Sequence, residues 1–305
     1  MLDHDLGLAL KEIEIWSDDW QLPISVSKCK ALHIGGNNPI YDYSLFGNTL
    51  ESVSTTFDLG VWITGNLKST THCNHIVKTA KQRCALIRKC FVSNNRDILF
   101  WAFCVFVRPL LEYASPVWSP HLHKDIDYVE SVQRRFTKYL PGLKSKSYSE
   151  RLKLLKAESL DIRRLKIDLS LTYSILHGAV DIDSSIFFSV RGSQRTRGHP
   201  LKLVVQKTKL DCSKFFFANR VVNVWNGLPE DVVMASSIQN FKKGLAGVCL
   251  SEYVRWSKYF ILLASCYAAF VFAFVFAFIF TFIVHLVHIA ILIFFIFVDL
   301  NLWLA

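Results

Sequence analysis

The sequence has no charged residue between Tyr259 and Val298, and phenylalanine alternates through the middle of that stretch. One membrane span needs about 20 apolar residues, so forty residues are enough for two spans. No Gly or Pro near His285 and His288 marks a turn between two spans. Residues 259–298 are therefore expected either to enter a membrane as a helix or helical hairpin, with the basic body on the cytoplasmic side, or to be the translation of a T-rich tract.

The chain also lacks the short motifs of several enzyme and metal-binding classes. No Gly-rich dinucleotide motif, Walker motif or GxSxG turn occurs. None of the eight cysteines forms a CxxC pair, which argues against a zinc ribbon. The first residues show neither the basic segment nor the apolar core of a signal peptide. The cysteines are therefore expected to be reduced thiols, and we expect no metal site or cofactor in this chain.

Two groups of side chains have metal-ligand chemistry without suitable spacing. Asp18 and Asp19 are adjacent carboxylates, as in the Mg²⁺ sites of polymerases, but they lie in a helical pattern and not at a strand turn. His72, Cys73 and His75 match no common zinc spacing. The expected positions are therefore the surface of one helix and the start of another, and no small-molecule substrate is indicated.

Positive charge is concentrated in the first 256 residues. The net charge is +10, and the only charges from residue 257 onward, Lys258 and Asp299, cancel. Such an excess favours an anionic partner, either nucleic acid or anionic lipid. The densest region, 134–166, holds eleven cations against three acids, with Phe and Tyr interleaved.

Helices with this composition are typical of proteins that follow a phosphate backbone, although a solvated helix face is the alternative interpretation. We therefore predict a nucleic-acid-binding surface from the cations of this region. The candidate residues are Arg134, Arg135, Lys138, Lys144, Lys146, Arg151, Lys153, Arg163 and Arg164.

The periodicity of apolar residues predicts an α+β fold, with a short β-hairpin element before a mostly α-helical module. Strands are expected at 29–35 and 57–63, with a hairpin over 40–50 that turns near Gly47-Asn48, and residues 201–206 are strand-like. Helices are expected at 3–20, from 70 onward, and at 97–107, 125–140, 148–155, 160–176, 215–225 and 238–245. The predicted domains are 1–65, 66–180, 181–250 and the apolar tail 257–305.

Several segments together resemble the C-terminal part of the reverse transcriptase encoded by non-LTR retrotransposons of the jockey and CR1 type. The resemblance covers roughly residues 3–246. The segments are WSDDWQLPISVSKCKALHIG at 16–35, FDLGVWIT at 57–64, VRPLLEYASPVWSPHLHKDIDYVESVQRRFTKYLPGL at 107–143, ERLKLLKAESLDIRRLKIDLSLTYSILHG at 150–178, RTRGHPLKL at 195–203 and FFFANRVVNVWNGLPEDVVMASSIQNFKKGL at 215–245.

The resemblance implies the end of a polymerase palm at 1–65, a helical thumb at 66–180 and a C-terminal extension at 181–250. It implies RNA-directed DNA polymerase by descent, with an RNA/DNA template–primer duplex as partner. The family's catalytic Tyr-X-Asp-Asp turn would precede Met1, so the chain is expected to be inactive alone and to need none of the Mg²⁺ of the full-length family. Lys28 matches the lysine that is a candidate acid for pyrophosphate departure, and Ser25 replaces the family's Asn.

Two other functions are compatible with the sequence. The chain could be a membrane-anchored protein whose basic cytoplasmic face meets anionic lipid, or a regulatory module that pairs with a full-length polymerase. The expected location is the membrane if the tail is a true segment, and otherwise the cytoplasm or nucleus.

Overall fold

A long helix and small strand pairs form the first 65 residues of the computed structural model, which describes residues 2–191 and 198–254. The helix and the paired strands confirm the predicted helix and β element. The elements are α1 (Leu2–Asp19), β1 (Lys30–Leu32) paired in parallel with β4 (Glu51–Val53), β2 (Ser44–Leu45) antiparallel to β3 (Asn48–Thr49), and β5 (Thr55–Asp58) antiparallel to β6 (Val61–Thr64).

The predicted strand at 57–63 is wrong, because the chain reverses in its middle. Leu59 and Gly60 have φ of 43° and 83° and form the two-residue turn between β5 and β6. Such a turn requires left-handed backbone at both positions, and leucine gives no sequence signal for it. Gly60 is required here for a second reason: a Cβ at this position would lie 2.9 Å from Cε1 of Tyr113.

Residues 70–176 form the helical part that the sequence predicts. Polar side chains begin several of its helices: Asn95 accepts hydrogen bonds from the Asp97 and Ile98 amides, and Ser147 forms a capping box with Glu150. The helices are α2 (Thr70–Cys90), α3 (Arg96–Phe106), α4 (Ser115–Trp118), α5 (His123–Tyr139), α6 (Tyr148–Leu154) and α7 (Leu160–Leu176). The observed limits of α3, α5, α6 and α7 fall within two residues of those predicted, whereas α4 was not predicted and no end was predicted for α2.

Short helices follow α7. The helix predicted at 215–225 is interrupted at Phe216 and Val221, and the strand predicted at 201–206 is reduced to a single bridge between Val190 and Leu203. Only the helix predicted at 238–245 is recovered as one piece. The elements are α8 (Asp211–Lys214), α9 (Phe217–Arg220), α10 (Val222–Asn226), α11 (Glu230–Val233) and α12 (Ile238–Ala246).

The described residues up to Leu250 form one compact unit that contains two hydrophobic clusters. The first is built by β6 and helices α2, α3 and α5, around Phe103 and Phe136. The second surrounds Trp225 and Phe241. Helix α7 takes part in both, because Leu160 lies in the first cluster and Leu169 in the second.

The α+β class is confirmed. The apolar tail predicted at 257–305 lies outside the described residues. Among residues 2–191 and 198–254, no helix combines the length and apolar character that a bilayer crossing needs.

Candidate nucleic-acid interface

Helices α2 and α5 lie side by side and run in the same direction. Near their first residues, the Thr70 hydroxyl donates to Asp125 Oδ2 over 2.6 Å. Near their last residues, the Arg88 guanidinium lies 4.0 Å from the centre of the Tyr139 ring. The contacts advance along both helices together, so residues far apart in sequence share one surface.

Helix α2 contains no acidic residue over its 21 positions. Its apolar face, with Val77, Ala80 and Ile87, is buried in the core. At helical spacing the opposite face carries Lys78, Lys81, Arg88 and Lys89, of which all but the half-buried Lys81 are exposed. The helix is thus amphipathic, and every Lys, Arg, Asp or Glu side chain on its outer face is a cation.

Helix α5 adds a second row of cations and two tyrosines. Its inner face buries Ile126, Val129, Val132 and Phe136. Its outer face carries Lys124, Tyr128, Arg135, Lys138 and Tyr139, and Lys81 from α2 lies 4.4 Å above the Tyr128 ring. We define the basic ridge as Lys78, Lys81, Arg88, Lys89, Lys124, Tyr128, Arg135, Lys138 and Tyr139.

The cations of the basic ridge have no acidic partners, since none forms an ion pair within the part of the chain that the structure describes. At about 1.5 Å per residue, α2 is roughly 30 Å long, close to one turn of a nucleic-acid duplex. Exposed tyrosines among cations are typical of surfaces that bind nucleic acid. A polyanion would offset the mutual repulsion of these charges.

The cations predicted in 134–166 separate into exposed and internal groups. Arg135 and Lys138 lie on the basic ridge, while Lys144, Lys146 and Lys153 are exposed on the following loop and on α6. Arg134 is half-buried, and its Nη2 lies 3.3 Å from Asp127 Oδ1.

Burial removes Arg151 and Arg164 from any phosphate-binding surface, which corrects the predicted set. The Arg151 side chain donates to Thr137 Oγ1 at 3.1 Å and to the carbonyls of Lys146 and Arg134 at 2.6 and 3.1 Å. Its desolvation lowers the pKa of the guanidinium. Arg164 is only 1% exposed and lies 3.4 Å from Asp161 Oδ1.

Arg163 is likewise committed to an internal contact. Its guanidinium binds both carboxylate oxygens of Glu112, with Nη2 at 3.0 Å from Oε2. These hydrogen bonds raise the pKa of Arg163. Because a bidentate pair has little remaining affinity for a further anion, Arg163 contributes to packing of α7 and not to the basic ridge.

A buried polar network fixes α6 and α7 against α5. Glu130 accepts hydrogen bonds from the Leu160 amide at 2.9 Å and from the Tyr148 hydroxyl. Gln133 Nε2 donates to the Tyr148 hydroxyl at 3.0 Å and to the Glu158 carbonyl at 2.9 Å. Burial raises the pKa of Glu130, with the Tyr148 hydrogen bond opposing it. This network holds in place the helix that carries half of the basic ridge.

The remaining predicted residues lie apart from the ridge. Lys28 is exposed in a 3-10 turn, Val26–Lys28, and forms no ion pair within the described residues. Asp18 and Asp19 are exposed at the end of α1, as expected of surface helix residues. No group of three or more His, Cys, Asp or Glu side chains is arranged to hold a metal ion in residues 2–191 and 198–254.

His72 and Cys73 occupy the first turn of α2, as the sequence predicts, and both are buried. Burial, followed by the charge of His75, lowers the pKa of His72 to about 4. Burial and then Asp125 raise the pKa of the Cys73 thiol to about 12. Both side chains are therefore uncharged core residues near neutral pH.

Helix α2 was predicted to begin at residue 70 but was not included in the predicted site. The signal that could have found it is a 21-residue helix with no acid and with cations on one face. The contact between α2 and α5, which brings their two cationic faces together, cannot be predicted from the sequence of either helix.

Comparison with known proteins gives one similarity for part of the chain. A stretch of 124 residues, 40% of this chain, is 24% identical to "Uncharacterized protein B0403.1" of Caenorhabditis elegans. The matched stretch spans 63% of that protein's length. The chain matches no protein-family model and no solved structure.

Proposed function

We propose that this chain is a fragment of a retrotransposon RNA-directed DNA polymerase whose described residues bind nucleic acid, with an RNA–DNA template–primer duplex as the ligand. The observation that supports this most is the basic ridge, where two parallel helices present cations without acidic partners in the described part of the chain. The choice of an RNA–DNA duplex as the ligand rests on the resemblance of segments 16–35 and 107–143 to the end of a palm and a thumb.

The proposed activity is binding and not polymerisation by this chain alone. A two-metal polymerase site needs carboxylates that hold both ions. The resemblance assigns these to a Tyr-X-Asp-Asp turn, and no segment of the 305 residues matches that turn. Primer extension by the purified chain would contradict this part of the proposal.

The binding test compares the full chain, kept in a non-ionic detergent, with a variant in which Lys81, Arg88, Arg135 and Lys138 are all alanine. The ligand is a blunt RNA–DNA hybrid of about 20 base pairs, or two helical turns. Each lost phosphate contact should reduce the slope of log K against log salt by about 0.9, so the quadruple variant should lose about 3 to 4 from that slope.

A double variant of Lys242 and Lys243 to alanine is the matched control, because both are exposed on α12. Its affinity and salt slope should equal those of the unchanged chain. Binding that ignores ionic strength, or an equal loss in both variants, would contradict the proposed interface.

The membrane-anchored alternative predicts a different ligand for the same cations. Anionic lipid vesicles attract basic surfaces by about 1 kcal/mol per Lys or Arg. If the quadruple variant lost vesicle binding but kept its affinity for the hybrid, the basic ridge would be a lipid-binding face and the nucleic-acid proposal would be wrong.

A further inference from the structure

A cleft of about 250 Å³ opens beside the first residues of α2 and α5. Three segments form its walls: β6 with the turn before α2, the region of α4, and residues 211–216. Five aromatic side chains line it, and apolar surface predominates. They are Trp62, Trp118, His121, Phe215 and Phe216.

The walls of the cleft are held in position by contacts with one another and with residues outside the cleft. Trp62 stacks on His75 with ring centres 4.4 Å apart, and Phe215 stacks on His121 at the same separation. The Trp118 indole nitrogen donates to the Tyr113 carbonyl at 2.6 Å. Flat, fixed rings need little reorganisation to receive another flat ring.

Arg220 connects three segments near the cleft: α7, α4 and the segment that contains Phe215. Its guanidinium binds Asp168 of α7 through both carboxylate oxygens, at 2.9 and 3.0 Å. It also donates to the carbonyl of Phe215 at 3.1 Å and to that of Pro116 at 3.1 Å. The segment that closes the cleft is therefore attached to α4 and α7 by one half-buried side chain.

The rim of the cleft carries groups of both charges. Lys68 and Asp211 line it, and neither forms an ion pair within the described residues. A nucleobase presents donors and acceptors at its edge and a flat apolar face, which matches such a rim around aromatic walls. The volume lies below the roughly 300–1,000 Å³ of sites for larger ligands, which favours one ring system.

The cleft lies at one end of the basic ridge. Ser69, which lines the cleft, immediately precedes α2, and His121 lies just before α5, whose first turn holds Lys124 of the ridge. The first turns of α2 and α5 therefore lie beside both the cleft and the end of the ridge that carries Lys124. A base in an intact duplex is already paired and stacked, and extracting it costs a few kcal/mol.

We infer that the cleft receives one unpaired nucleobase of a strand whose backbone follows the basic ridge, so that a duplex with a single-stranded end is the preferred ligand. This rests on the proposed nucleic-acid binding and specifies its substrate. The walls supply stacking and apolar contact, and the rim supplies hydrogen bonds to the base edge.

The test uses the full chain in detergent with two ligands, the blunt hybrid and the same hybrid with an extension of about four unpaired nucleotides. The last base of the extension is 2-aminopurine, whose fluorescence falls when it stacks on an aromatic ring. We expect the extension to tighten binding roughly 5- to 100-fold, as stacking of one base provides, and the 2-aminopurine to be quenched.

The cleft variants are Trp62→Ala and Phe216→Ala. Phe216 is 46% exposed, so its removal should leave the fold intact, and Phe106→Ala is the matched control because Phe106 is also 46% exposed but does not line the cleft. Both cleft variants should lose the quenching and the advantage of the extension while they keep the affinity for the blunt hybrid. The control should behave as the unchanged chain.

Three results would overturn the inference: no gain from the extension, an unquenched 2-aminopurine, or the same losses in Phe106→Ala. Saturable binding of a free mononucleotide without any advantage of the extension would make the cleft a small-molecule site and would also overturn it. Salt-sensitive binding of the blunt hybrid with no effect of the extension would contradict the role of the cleft but not the proposed nucleic-acid binding. If the unchanged chain did not bind the blunt hybrid at all, the proposed function itself would be wrong.

Discussion

Arg135 on the basic ridge and Arg151 beneath it come from the same cation-rich stretch of sequence and differ in their surroundings. Arg135 is exposed and has no ion-pair partner among the described residues. Arg151 is 4% exposed and donates to a threonine hydroxyl and two backbone carbonyls. One side chain is available to a ligand, and the other holds the end of α5 to the loop that follows.

The difference shows that a cation-rich stretch of sequence can contain both exposed cations and internal cations, which its charge density does not distinguish. Internal arginines such as Arg151 and Arg164 are shielded from any partner, whereas the half-buried Arg220 connects helices at the edge of the cleft. The ridge cations create the positive surface potential, and two of them, Lys81 and Arg88, also contact tyrosine rings of α5. Substitutions in the two regions should therefore separate stability from binding.

The largest effect should come from Arg220→Met. Its partner Asp168 is 2% exposed, and burial already raises the pKa of that carboxyl while Arg220 lowers it. Removing one partner of a buried pair leaves an uncompensated charge and should cost about 3 to 5 kcal/mol of unfolding free energy. Urea denaturation followed by tryptophan fluorescence measures it, and a loss below about 1 kcal/mol would contradict the role assigned to Arg220.

Arg151→Met should have the next largest effect. It removes three hydrogen bonds to neutral acceptors, of which the Arg134 carbonyl still accepts from the Thr137 hydroxyl, and it leaves no buried charge, so we expect a loss of about 2 to 3 kcal/mol. The same denaturation experiment measures it, with Arg135→Met as the exposed control. Equal losses at the two positions would remove the distinction between internal and ridge arginines.

Glu130→Gln should change the pH dependence of stability. Burial raises the pKa of Glu130 above its ordinary 4.5, so between that value and the folded pKa the native state binds more protons than the unfolded state. The stability of the unchanged chain relative to the variant should therefore be greatest near and below pH 4.5 and decrease as the pH rises through the folded pKa. Denaturation of both proteins at a series of pH values measures the difference, and an increase with pH would contradict the assignment.

The smallest effect on stability should come from the quadruple alanine variant of Lys81, Arg88, Arg135 and Lys138. Exposed positions such as Arg135 and Lys138 usually change stability by no more than about 0.5 kcal/mol each, and the ring contacts of Lys81 and Arg88 add about 0.5 to 1 kcal/mol each. At low salt the removal of like charges should offset part of this loss. Thermal unfolding at low and high salt measures this, and a large loss at both would show that the ridge cations are structural.

The helices were largely predictable from the sequence, and the turns were not. Helix α7 was predicted at its observed limits, and the structure shows that Ser159 caps its first turn by accepting a hydrogen bond from the Ile162 amide. The β5–β6 hairpin was missed because its turn begins with Leu59 in left-handed backbone. The helix at 215–225 was predicted as continuous because its apolar spacing gives no sign of the breaks near Phe216 and Val221.

The candidate site was predicted only in part, for a reason that concerns packing. Periodicity along α5 places Arg135 and Lys138 outside the core, and both lie on the basic ridge. Arg151 is buried against acceptors of α5 and Arg164 beside the Trp118 ring, so neither burial could be predicted from local sequence. The inclusion of α2 in the basic ridge likewise depends on its contact with α5, which is distant in sequence.

The parallel arrangement of α2 and α5 has an electrostatic consequence of its own. Backbone dipoles give each helix a partial positive charge at its first turn and a partial negative charge at its last. Two parallel helices add these poles instead of cancelling them. At the last turns Arg88 and Lys89 of α2 and Lys138 of α5 offset the negative pole, so an approaching polyanion meets an attractive field from one end of the pair to the other.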